Sequence, residues 1–124
     1  MSSKLNAFYF RSYLNFMALI NQEDIQTGLA LISKDFQVDS KNWELEQGEE
    51  MTEDKAFNFL LKLVEHLMAH DFNRLLNSLY RIDVSEEKLK LALAESNHPA
   101  QTVAQMIWDR ELQKVETRKK YSGR

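Results

Sequence analysis

The chain has 124 residues, of which 44% are hydrophobic and 28% charged, and a net charge of −3. This fits one globular domain and excludes a disordered or fibrous chain. It contains no cysteine, which excludes disulfides, thiolate metal sites and cysteine nucleophiles. Three glycines and one proline supply too few turns for an all-β fold.

The expected fold is therefore all-α: a single domain over residues 1–124, built as an array or bundle of five to six helices. A chain of this size buries roughly two-thirds of its unfolded surface and needs no metal to fold.

Residues 5–20 carry twelve apolar side chains out of sixteen. Asn6, Arg11, Ser12 and Asn15 interrupt the stretch, and its longest apolar run is Phe16 to Ile20. A signal sequence needs about 7–15 continuous apolar residues and a membrane span about 20. The stretch meets neither, so a cytoplasmic protein with no membrane partner is expected.

At helical spacing this segment forms two apolar seams. Leu5, Tyr9, Tyr13, Phe16 and Ile20 make one, and Phe10, Leu14 and Met17 the other, while Phe8 and Leu19 fall on the polar side. One seam docks a terminal helix on a core, and a second needs another cover. Phe8, Phe10, Leu14, Met17 and Trp43 are accordingly the candidate interaction surface, with a second copy of the chain as the expected partner.

Asn21 and Gln22 mark a break, and residues 23–34 read as the next helix. Over 36–50, Phe36, Val38, Trp43 and Leu45 alternate with polar residues, which reads as either a short hairpin or an ordered loop.

Thr52 is placed to cap a helix running to about residue 70. Phe57, Leu60, Leu61, Val64, Leu67 and Met68 recur at steps of three and four, and Ala56, Phe59 and Leu63 widen the face, as expected of a central helix. A following helix gathers Phe72, Leu75, Leu76 and Leu79 on one side. Ser85 is an N-cap with Glu86 and Glu87 behind it and Val84 stapled to Leu89, giving a helix to about Asn97. Pro99 opens the last helix, whose buried side is Val103, Ala104, Ile107, Trp108, Leu112 and Val115.

Chemistry is sparse. His66 and His70, four apart on a helix, could share an ion, but two ligands are not a site and no glutamate follows His66. The wheel places His70 inside the apolar arc, so a buried or boundary pair is expected. Residues 39–54 hold seven acids against one base without a calcium-loop spacing. From residue 110 onward, Arg110, Lys114, Arg118, Lys119, Lys120 and Arg124 oppose Glu111 and Glu116. These bases suit a helix C-terminus, with 118–124 as a fraying tail, and as an alternative could meet nucleic-acid phosphates. No phosphate loop or nucleophile motif occurs. No enzymatic activity, cofactor or bound metal is expected, with metal chemistry at His66 and His70 as the remaining alternative.

Arg81 and Asp83, in Leu-Tyr-Arg-Ile-Asp-Val-Ser-Glu, should form an ion pair or a cap at a helix junction. The stretch Leu79 to Lys88, together with Ile107 and Arg110-Glu111-Leu112-x-Lys114, resembles a family of small uncharacterised helical proteins common in Bacteroidetes. The resemblance covers residues 60–120. It implies an all-helical fold in a bacterial cytoplasm, and it carries no activity and no site residues.

Overall fold

Four of the five helices among the described residues begin where a side chain takes up a free N–H group, and the fifth begins on a proline. The computed structural model describes residues 20–43, 45 and 48–122. The N-terminal candidates Phe8, Phe10, Leu14 and Met17 lie outside these residues.

Helix α1 spans Gln22–Phe36, and Asn21 caps it: its side chain accepts from the Asp24 N–H at 2.9 Å, while Asp24 accepts from the Asn21 N–H at 3.3 Å. A single 3₁₀ turn, Ser40–Trp43, follows, opened by the Asp39 carboxylate accepting from the Lys41 N–H. The hairpin alternative is not realised: among the described residues there is no strand.

Helix α2 spans Glu53–His70 under a Thr52 cap, α3 spans Phe72–Ile82 under Asp71, and α4 spans Glu86–Glu95 under Ser85. Helix α5, Pro99–Ser122, opens on the proline, with the His98 carbonyl accepting the first helical bond from Thr102. The five helices and the 3₁₀ turn hold about four-fifths of the described residues.

α5 is the axis of the fold, packing on every other helix. Its side Val103, Ala104, Ile107, Trp108, Leu112 and Val115 is buried, as the spacing predicts. α2 supplies Ala56, Leu60, Val64 and Leu67, and α1 supplies Ile25, Leu29, Ile32 and Phe36. Between α1 and α5 the approach is close enough that a methyl group on Gly28 would stand 3.1 Å from the Trp108 ring. The loop before α2 is pinned by buried Met51 and by Trp43, which is only 8% exposed. Trp43 therefore belongs to the core rather than to an open interaction surface.

Two wheel readings shift. His70 is exposed, because it ends α2 at the point where the chain turns at Asp71. On α3 the buried set is Leu75, Ser78, Leu79 and Ile82, so the contact face lies one row away from Phe72 and Leu76. Among the described residues, no helix is long and apolar enough to cross a membrane.

Candidate functional sites

Two features stand out, one chemical and one a surface. The chemical one lies where the last turn of α1 meets α5. Glu111 falls on the buried side of α5, four residues after Ile107 and four before Val115, and its side chain has no solvent exposure. Lys114, one turn further on, brings its Nζ to 3.0 Å from Glu111 Oε1 and 3.6 Å from Oδ2 of Asp35 on α1. Two carboxyl groups thus share one ammonium.

Asp35 Oδ2 and both Glu111 oxygens are buried, and none receives a hydrogen bond of good geometry. Burial first, and then the neighbouring Asp35 carboxyl, push the Glu111 carboxyl up from 4.5 to about 7, against the opposing pull of Lys114.

The surrounding contacts fix the backbone of this corner. Asp35 sits in the last turn of α1, whose carbonyls carry partial negative charge. α3 supplies the compensation: Arg81 donates to the Asp35 carbonyl at 3.1 Å, and Arg74 to those of Phe36 and Gln37 at 2.9 and 3.0 Å. Asp83 does not turn to Arg81. It caps α3 in a left-handed conformation and meets Arg110 at 3.5 Å. A groove of about 500 Å³ runs beside Gln113, Glu116, Thr117, Lys119 and Lys120, and Asp35, Glu111 and Lys114 do not line it.

Spacing could have flagged Glu111, an acid in a slot between two buried residues. Nothing local marks Asp35, and Lys114 counted only as one of the C-terminal bases.

Those bases are largely committed within the fold. Lys119 lies 3.2 Å from both carboxylate oxygens of buried Asp24, which raises its own pKa. Arg110 and Lys114 are paired as described above. The acidic run is likewise partly structural: Lys55 meets Glu49 at 3.1 Å, and Glu53 accepts from Trp108 Nε1 at 3.0 Å. The His66 and His70 rings lie 4.6 Å apart between centroids, tilted by 44°, and both are exposed. Among the described residues, no group of three or more potential ligands gathers to hold a metal.

The surface feature is α3. Phe72, Leu76 and Tyr80, each four residues from the next, form a row on its exposed side, with Tyr80 88% exposed. Beside this row, exposed Asn73 and Asn77 carry no charge, and exposed Arg81 continues the same flank with its guanidinium donating to the Asp35 carbonyl. The two arginines of α3 are turned to the carbonyls at the end of α1.

The comparisons with known proteins add no relative: the chain matches no family model, no curated protein and no solved structure.

Proposed function

We propose that this protein is a small interaction module that associates with a second copy of itself through α3. The observation that carries the reading is the exposed Phe72, Leu76 and Tyr80 row on a helix whose opposite side already seals the core. Aromatic and leucine side chains on an exposed helix row gain by removal from water.

The occupant follows from charge. The row itself and Asn73 and Asn77 are neutral, and Arg81 at the end of the flank is held to the Asp35 carbonyl, so a second copy meets this face without a block of like charge. Antiparallel crossing of two α3 helices would set Leu76 on its counterpart and Phe72 against Tyr80 of the second copy, as a twofold interface requires. A cytoplasmic setting, and kinship with the small helical Bacteroidetes family over residues 60–120, belong to the same proposal.

Sedimentation equilibrium from about 10 μM to 1 mM tests it, since small interfaces associate in that range. The wild type should approach dimer mass, and Leu76→Glu should remain a folded monomer. A wild type that stays monomeric throughout defeats the proposal. A dimer abolished by Phe10→Glu but unaffected by Leu76→Glu would move the interface to the N-terminal seam.

A further inference from the structure

The corner formed by Asp35, Glu111 and Lys114 lies apart from the α3 row and is the least ordinary chemistry in the fold. Cores accept charge only when it is paired and hydrogen-bonded. Here two carboxyl groups face one ammonium, and three of their oxygens lack a hydrogen bond. One added proton resolves both difficulties. It brings the formal charge of the triad to zero, and it supplies the O–H donor that an acceptor-only pair lacks.

We infer that Asp35, Glu111 and Lys114 form a proton-operated latch between α1 and α5, closed by a proton on the carboxyl pair and loosened when that proton leaves. Among the described residues, the charged groups acting on Glu111 are Asp35 from α1 and Lys114 from its own helix. The α3 arginines bind backbone carbonyls of α1, so they do not neutralise the pair directly.

The latch weakens upward in pH. The folded carboxyl holds its proton more tightly than the unfolded one, so protons favour the folded state. The contribution is complete below pH 4.5 and is lost as pH rises through about 7.

Denaturant titrations of the full chain, at one protein concentration, test the inference. Between pH 6 and pH 8 the folding equilibrium constant should fall about tenfold in the wild type relative to Glu111→Gln, contributions common to both proteins cancelling. Equal slopes in the two proteins would overturn the latch. A carbon-detected NMR titration of the Glu111 carboxyl in the wild type needs no variant: a midpoint near 7 supports the latch, and one near 4.5 overturns it. Asp35→Asn should lower that midpoint, and an unchanged midpoint would mean that burial alone acts and the two carboxyls share nothing.

Discussion

Gly28 is the residue on which the α1–α5 contact turns. Within a helix, alanine is favoured over glycine by about 1 kcal/mol, so Gly28→Ala would stabilise an open helix. Here the added methyl would sit 3.1 and 3.2 Å from Cζ3 and Cη2 of Trp108. That ring is fully buried and tethered by Nε1 donating to Glu53, so it has little room to yield. Overpacking of this kind costs about 1–3 kcal/mol. Gly28→Ala should therefore lower stability by about 1 kcal/mol net, read as a lower urea midpoint with unchanged slope.

The same scale shows what a sequence conceals. Trp108 was legible as core from its spacing. Its need for a glycine opposite was not, because the partner lies 80 residues away. Asp35 and Glu111 failed to declare themselves for the same reason: each is an ordinary acid until the fold brings them to one lysine.

At the scale of elements, the helix starts were readable, since caps are local. Thr52, Ser85 and Pro99 act where their chemistry says they should. Asn21, legible only as a break, proves to be half of a capping box. The faces were less readable. A wheel assumes neighbours along the whole helix, but α2 runs out of them at His70, and α3 rotates so that Ser78 and Ile82 enter the core in place of Phe72 and Leu76.

Helix ends offer a further test. α1 closes with Gln37 in the left-handed region at φ 55, its N–H bonded to the Lys34 carbonyl and the Val38 N–H to that of Ser33. Glycine adopts this conformation without the strain that a side chain brings, about 1 kcal/mol. Gln37→Gly should raise stability by about 0.5–1 kcal/mol, seen as a higher thermal midpoint. No change would show that the carbonyl of residue 37, held by Arg74, already relieves the strain.

For the whole molecule, the arrangement of charge separates the two partner readings. A basic C-terminal helix on an acidic protein is a plausible phosphate-binding surface in sequence. In the fold, Arg110, Lys114 and Lys119 are each spent on an acid of another segment or turn, which leaves fewer free positive charges to release counterions from a nucleic acid. The neutral α3 row behaves differently. Association through these apolar side chains is little touched by screening, because it makes and breaks no ion pair. The dissociation constant of the proposed dimer should change less than about twofold between 50 and 500 mM sodium chloride, whereas six to ten phosphate contacts would lose a factor of about 10³–10⁵ over a narrower range. Sedimentation across that salt series, with a fluorescent oligonucleotide in a parallel set, reads both. A dimer that dissolves in salt would place its interface on charged groups away from α3. Oligonucleotide binding that falls steeply with salt and vanishes on truncation after Val115 would restore the nucleic-acid reading in its place.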